Sequence, residues 1–170
     1  PTRKIRTLQA RLTIPVMAVA LLTIETPSGA QPLDAATRQS LRAELDAFFD
    51  QYYAWYSVGA AQEIARHAYN VPYLRGDGTP LGTEDEVRQW VSDAWAGLDA
   101  QGYGGSDMSE RNICVLGASA AIVSGRGVRS RKDGSVFGEY GWTYTLVKTS
   151  NGWRIITIYG HDPALAVTCP

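Results

Sequence analysis

The spacing of hydrophobic and polar residues changes partway along the chain. Before Gly102, apolar residues recur at steps of three and four, which is typical of amphipathic helices. From Ser109 onward they alternate with polar residues, which is typical of half-buried strands. Because helices and strands are segregated along the sequence, the pattern favours an α+β fold over a parallel α/β sheet.

Three helices are predicted in the first part. Asp34 is placed to cap the first helix, whose apolar stripe is aromatic toward its end at Gly59. A shorter second helix is predicted over Ala60–Ala68, and Thr83 with Glu86 forms a capping box that opens the third. The first stripe consists of Leu41, Leu45, Phe48, Phe49, Tyr52, Trp55 and Tyr56, and the third of Val87, Trp90, Val91, Ala94, Trp95 and Leu98.

Four antiparallel strands are predicted in the second part. An Asp-Gly pair and an Asn-Gly pair separate the last three, and such pairs between apolar runs favour hairpins. Between the second and third helices, Val71–Leu74 is predicted to be extended because Pro72 disfavours helix. The segment Gly102–Ser106 is predicted to be a loop. The predicted strands are Arg111–Leu116, Ala120–Arg129, Val136–Lys148 and Trp153–His161.

The last predicted strand is apolar on both faces. Alternation puts Trp153, Ile155, Tyr159 and His161 on one face, and Ile156 and Ile158 on the other. A strand that is buried on both faces must pack against another element on each face, and the helices can pack against only one of them. We therefore expect a homodimer that forms through the open face of the sheet.

The first 30 residues differ from the rest. A basic start precedes the uncharged run Leu12–Ile24, and the small residues Ser28 and Ala30 follow. This pattern predicts a signal peptide over residues 1–30, cleaved after Ala30, and hence a secreted or periplasmic protein. The run is too short to span a bilayer, so no stable membrane anchor is expected after cleavage. The alternative is a different chain start, at Met17 or outside this sequence. A linker over residues 31–36, a domain over residues 37–165 and a tail over residues 166–170 complete the predicted organisation.

Composition excludes several classes of protein. The chain is 45% hydrophobic with a formal net charge of −1, so intrinsic disorder and a dedicated nucleic-acid binder are both disfavoured. Two cysteines are too few for a disulfide scaffold or a cysteine-rich zinc module. An oxidising compartment permits a disulfide between Cys114 and Cys169, while a buried free Cys114 is the alternative.

The ordered features resemble the nuclear transport factor 2-like (NTF2-like) superfamily, also called the SnoaL-like or ketosteroid isomerase-like fold. The matching parts are the long first helix that ends at Gly59, the Leu81-Gly82-Thr83 turn, and the final hairpin with its Gly-Trp-Arg-Ile sequence after Asn151. The resemblance implies three helices packed in a curved, mainly antiparallel sheet, a cone-shaped, cystatin-like roll. It also implies a cavity that holds small, mostly apolar molecules, although this fold does not fix function.

Three functions are therefore compared. The first is an exported domain that binds a small hydrophobic ligand; the second is a cofactor-free isomerase or lyase acting on a hydrophobic carbonyl compound; the third is a non-catalytic dimerisation module. For catalysis, Tyr52 stands where the resemblance puts a proton donor, and His161 is a candidate base at the strand end. Asp77 is the acid nearest the expected base position, but its glycine-rich turn disfavours a shifted pKa.

The predicted ligand-binding residues come from helical spacing and strand alternation. Arg126 has two interpretations: a cross-strand ion pair with Glu139, or a cation in the cavity that would favour an anionic ligand group. The sequence predicts neither a metal site nor a cofactor. The predicted ligand-binding residues are Tyr52, Tyr56, Trp90, Arg126, Trp142, Tyr144 and His161.

Overall fold

The computed structural model describes residues 32–169, which form three α-helices and one six-stranded mixed sheet. The predicted α+β class is confirmed. The elements are α1 (Ala35–Ser57), α2 (Ala61–His67), β1 (Tyr69–Leu74), β2 (Pro80–Leu81), α3 (Glu84–Asp99), β3 (Tyr103–Gly117), β4 (Ala120–Arg131), β5 (Val136–Thr149), β6 (Gly152–His161) and a short 3-10 helix (Pro163–Leu165).

The predicted signal peptide and its cleavage after Ala30 lie outside the described residues. Within residues 32–169, no helix has the length and apolar character needed to cross a membrane.

The helices begin where the sequence predicts. The side chain of Asp34 accepts a hydrogen bond from the backbone N–H of Thr37 at 2.8 Å, which caps α1. Gly59 follows the end of α1 with φ of 70°, a conformation that favours glycine. At α3 the capping box is present: the Glu86 N–H donates to Thr83 Oγ1, and the Glu86 carboxylate accepts from the Thr83 N–H.

The strand order in the sheet is β2-β1-β6-β5-β4-β3. Strands β3 to β6 form the predicted antiparallel meander, and glycines with positive φ, Gly134 and Gly152, lie in its last two turns. The short strand β1 pairs in parallel with β6 and antiparallel with β2. It begins at Tyr69 rather than at the predicted Val71, which brings one more tyrosine into the sheet.

Strand β3 begins at Tyr103, so the predicted loop over Gly102–Ser106 is wrong. Tyr103 pairs with Arg131 on β4, and its side chain is buried. A Cβ atom on Gly104 would lie 2.5 Å from the Arg131 backbone, so the close approach of the two strands requires glycine here. The glycines that suggested a loop therefore permit the pairing.

The two faces of the sheet have different covers. The face that carries Val123 and Ile155, called the inner face, packs against α1 through Leu45 and Phe49, and all four side chains are fully buried. The opposite face, called the outer face, is partly covered by the C-terminal tail, residues 162–169.

The tail is fixed by a disulfide and a hydrogen bond. Cys114 on β3 and Cys169 are disulfide-bonded, with their Cα atoms 5.6 Å apart. The backbone N–H of Val167 donates to Ser124 Oγ on β4, and Ser124 is buried as a result. Of the two states that the sequence leaves open for Cys114, the structure shows the disulfide.

A β-bulge in β6 changes which residues face inward. Leu146 on β5 pairs with Ile155, and the preceding residue, Thr145, pairs with Thr157, so Ile156 is the extra residue. Beyond an extra residue, alternation continues with the faces exchanged. The prediction that His161 shares a face with Trp153 and Ile155 is therefore wrong.

The bulge also removes the reason given for a homodimer. Beyond it, Ile158 lies on the inner face, and Tyr159 lies on the outer face with 47% of its surface exposed. Strand β6 is thus not a continuous apolar strand on both faces. The homodimer itself stays a prediction.

Candidate functional site

The candidate site is a cavity of about 380 Å³ between the inner face of the sheet, the C-terminal half of α1, and α3. Five buried tyrosines line it, and partly exposed side chains complete its wall. The buried tyrosines are Tyr52, Tyr53, Tyr69, Tyr73 and Tyr144.

The α1 tyrosines reach the cavity because of helical spacing. Tyr52 and Tyr56 lie one turn apart on the face of α1 that meets the sheet, and Tyr53 is their neighbour on that face. The Tyr52 hydroxyl lies 3.0 Å from that of Tyr69, and the Tyr53 hydroxyl lies 2.7 Å from that of Tyr144. Each pair satisfies polar groups that would otherwise be costly to bury.

Burial makes these phenols harder to ionise. It raises the pKa of Tyr52, Tyr53, Tyr69 and Tyr144 above the usual phenol range, because the apolar surroundings disfavour the charged form. Nearer the rim, burial raises the pKa of Tyr140 to about 12. At neutral pH the cavity therefore offers hydroxyl donors and acceptors but no phenolate.

Asp77 lies at the rim in a solvated turn. It forms an ion pair with Arg75 at 2.8 Å, and Arg75 lies 5.7 Å from the ring centre of Trp90. Hydrogen bonds from the backbone and side chain of Thr79 lower the pKa of Asp77, and the charge of Arg75 lowers it further. A carboxylate with a lowered pKa is a weak base, so this environment disfavours Asp77 as a general base.

The structure brings together most of the residues that the sequence selects for the cavity. Tyr52, Tyr56, Trp90, Trp142, Tyr144 and Asp77 all line it. That they contact a ligand stays a prediction.

His161 lies on the outer face instead. Its Nε2 is 2.9 Å from Thr143 Oγ1, and its Nδ1 is 2.8 Å from the carbonyl oxygen of Asp162. A Cβ on Gly141 would lie 2.5 Å from the His161 ring, which shows that the ring packs on the outer face of β5. The bulge at Ile156 is the reason, and it removes His161 from the cavity.

Arg126 also lies outside the cavity. Its side chain forms an ion pair with Glu139 on β5 at 2.7 Å, and both side chains are partly exposed. The interpretation of Arg126 as half of a cross-strand ion pair is confirmed. The interpretation that Arg126 is a cation in the cavity is wrong, because alternation along β4 directs this position to the outer face.

Sequence reasoning missed several wall residues. Tyr140 precedes Trp142 by two positions, and Arg129 follows the inward-facing Val123 by six, so alternation was sufficient to find both. Tyr69 was missed because the predicted strand began at Val71. The missed wall residues with polar side chains are Tyr53, Tyr69, Tyr73, Arg75, Ser106, Arg129 and Tyr140.

The described part of the chain contains no group of three or more His, Cys, Asp or Glu side chains placed to hold a metal ion.

Comparison with known proteins identifies a family. A family model described as "NTF2-like protein (DUF6841)" matches residues 43–163, which include α2, α3, all six strands and most of α1. A search of curated proteins found no match.

Solved structures show the same fold at low sequence identity. An NTF2-like protein with a cystatin-like fold from Novosphingobium aromaticivorans is 18% identical with a TM-score of 0.58, covering 78% of this chain and 90% of its own. Aln2 from a Streptomyces species is 14% identical with a TM-score of 0.60, covering 74% and 93%. An NTF2-like protein of unknown function from Shewanella oneidensis is 15% identical with a TM-score of 0.57, covering 71% and 98%. These similarities concern the fold alone.

Proposed function

The chain belongs to the NTF2-like family (DUF6841), and on this fold we propose that it binds a small, flat, mainly apolar molecule in the tyrosine-lined cavity. The observation that carries the proposal is the open volume of about 380 Å³ inside an otherwise well-packed core. Protein cores leave few voids larger than a water molecule, so a space of this size needs an explanation.

The volume limits the size of the ligand. An apolar cavity of about 150 Å³ is sufficient to bind benzene. A space of about 380 Å³ is roughly 2.5 times larger. We therefore expect a ligand of two or three rings.

The walls define its chemistry. Tyr73 and Trp90 are stacked with ring centres 5.3 Å apart, and Tyr140 and Trp142 lie 6.0 Å apart, so aromatic rings line the cavity from β1, α3 and β5. Flat apolar ligands pack well against such rings. The buried hydroxyls of Tyr52 and Tyr53 favour a ligand with an oxygen atom at its inner end.

Two alternatives have less support. The first alternative is an isomerase or lyase, and its one supporting observation is the position of Tyr52 in the cavity wall, where the neutral hydroxyl could act as a proton donor. It needs a base, however, and Asp77 is the only carboxylate or histidine among the described residues that line the cavity. A non-catalytic dimerisation module is disfavoured because such a module has no need for an open cavity.

The enzyme alternative can be tested separately. We expect the protein to leave the rate of α-proton exchange of 2-tetralone, a hydrophobic ketone, at its buffer value in D₂O, as followed by NMR. Acceleration that is lost in Tyr52→Phe would favour the isomerase or lyase instead.

The binding proposal is tested with N-phenyl-1-naphthylamine, a neutral dye whose fluorescence rises in apolar sites. Ala94 and Ala96 are both exposed residues of α3, but only Ala94 lines the cavity. We expect saturable binding, weakened about tenfold or more (~1.4 kcal/mol) in Ala94→Trp and unchanged in the control Ala96→Trp. The absence of saturable binding, or equal binding by both variants, would refute the proposal.

We also propose that the protein is exported. Support comes from the pattern of residues 1–30 and from the Cys114–Cys169 disulfide, since disulfides persist in oxidising compartments. Residues 1–31 fused to an alkaline phosphatase without its own signal should give enzyme activity in a bacterial host. Charged substitutions at Leu21 and Leu22 should abolish that activity. An inactive parent fusion would contradict export.

The homodimer is a third proposal. It rests on the exposed part of the outer face around Tyr159, next to the tail. Light scattering at micromolar concentration should give the mass of two chains, and the mass of one chain would reject it.

A further inference from the structure

Arg129 projects from β4 into the wall of the cavity. Its guanidinium carbon lies 5.1 Å from the ring centre of Tyr140, which also lines the cavity. Its Nε atom is buried and has no hydrogen-bond partner among the described residues. Arg129 is thus a cation held beside an apolar space with a donor that is left unsatisfied.

Several other arginines of the chain have acidic partners. Arg75 at the same cavity pairs with Asp77, and on other surfaces Arg111 pairs with Asp50 at 2.7 Å. Within residues 32–169, no carboxylate lies within ion-pair distance of Arg129. Among the described residues that line the cavity, the charges of Arg75 and Asp77 cancel, and the positive charge of Arg129 remains.

Tyr56 supplies a second polar group to the wall of the same cavity. Burial raises the pKa of its hydroxyl, and the positive charge of Arg129 partly opposes that rise. The Tyr56 hydroxyl has no hydrogen-bond partner in the described part of the chain, unlike the Tyr140 hydroxyl, which donates to the Asp107 carbonyl at 2.8 Å. Tyr56 can therefore donate to the group that Arg129 attracts.

Leaving a cation without a counter-charge and with a buried, unpaired N–H group costs free energy. The guanidinium fork matches the two oxygens of a carboxylate, and hydrogen bonds to charged partners are stronger than neutral ones. We propose that the cavity selects a carboxylic acid on an aromatic or alicyclic ring system, with Arg129 and Tyr56 binding the carboxylate. This inference rests on the proposed binding function, and it specifies the class of ligand.

The test uses two probes of nearly equal shape, 2-naphthoate and 2-naphthamide, measured by calorimetric titration. The first is ionised at neutral pH and the second is neutral. Arg129→Gln removes the charge in the cavity wall. Arg131→Gln is the matched control, because Arg131 is an exposed residue of the same strand that does not line the cavity.

We expect the wild-type protein to bind 2-naphthoate about tenfold or more tightly than 2-naphthamide. Arg129→Gln should lose this preference and still bind the amide, which also shows that the variant is folded. Arg131→Gln should keep the preference. If the Gln variant does not fold, Arg129→Met, which keeps more of the apolar side-chain volume, takes its place.

Two results would overturn the inference: equal affinity of the wild-type protein for both probes, or a preference that survives the loss of Arg129. Either result leaves the proposed function intact, because the amide still binds. If neither probe nor the neutral dye binds, the proposed function itself fails, and that outcome is distinct.

Discussion

Reduction of the Cys114–Cys169 disulfide should destabilise the fold without affecting the cavity. The bridge joins residues 55 positions apart and fixes the tail on the outer face, on the opposite side of the sheet from the cavity. By the loop-closure model, opening a loop of that length restores to the unfolded chain an entropy worth about 4 kcal/mol at 25 °C. The folded protein should therefore lose about that much stability.

The assay is urea unfolding followed by tryptophan fluorescence, with and without a phosphine reductant. With an m-value of about 2 kcal/mol/M, a loss of about 4 kcal/mol lowers the midpoint by roughly 2 M. The double variant Cys114→Ala, Cys169→Ser should unfold at the midpoint of the reduced protein and be insensitive to the reductant. Binding of N-phenyl-1-naphthylamine should be equal in the oxidised and reduced proteins.

Two results would refute this reasoning. Titration of two free thiols in the unreduced, urea-unfolded protein would show that the bridge does not form. A midpoint that moves by less than about 0.5 M on reduction would show that the bridge contributes under ~1 kcal/mol, so that closing this loop does not constrain the unfolded chain as the model requires.

Two further predictions concern the helix cap and the rim. Thr83→Ala removes the side-chain acceptor of the α3 capping box and should lower the free energy of unfolding in urea by about 1 kcal/mol. Thr83→Ser keeps the acceptor and should lower it much less. Equal losses of stability in the two variants would show that the cap is not the cause. Asp77 has a folded-state pKa below its ordinary value of 3.8, so its contribution to stability is complete above pH 3.8 and is lost as the pH falls through the lower, folded-state value. The free energy of unfolding of Asp77→Asn, measured by urea titration between pH 2 and 7, should therefore fall less in this acidic range than that of the wild-type protein. An equal fall in both proteins would show that this carboxylate is not involved.

The sequence alone determined the elements whose signals are local. The cap at Asp34, the capping box at Thr83 and the end of α1 just before Gly59 depend on residues within one helical turn, so spacing was sufficient to place the helices. The turn glycines Gly134 and Gly152 fixed two hairpins for the same reason. Helical spacing also selected Tyr52, Tyr56 and Trp90 as cavity residues.

Tertiary structure decided what depends on a neighbouring strand or a distant segment. The glycines after Gly102 signal a loop when they are alone, and they belong to a strand only because β4 comes within contact distance of them. The disulfide of Cys169 depends on the path of the tail, which no local pattern encodes.

The orientation of the last strand shows the limit most clearly. Alternation predicts the face on which a residue lies only while each residue of the strand has one partner on the neighbouring strand. Ile156 is an extra residue on β6, so the prediction fails beyond it. It moves His161 to the outer face and Ile158 into the cavity. The bulge arises from how β6 pairs with β5, so a pattern that is read along one strand contains no signal for it.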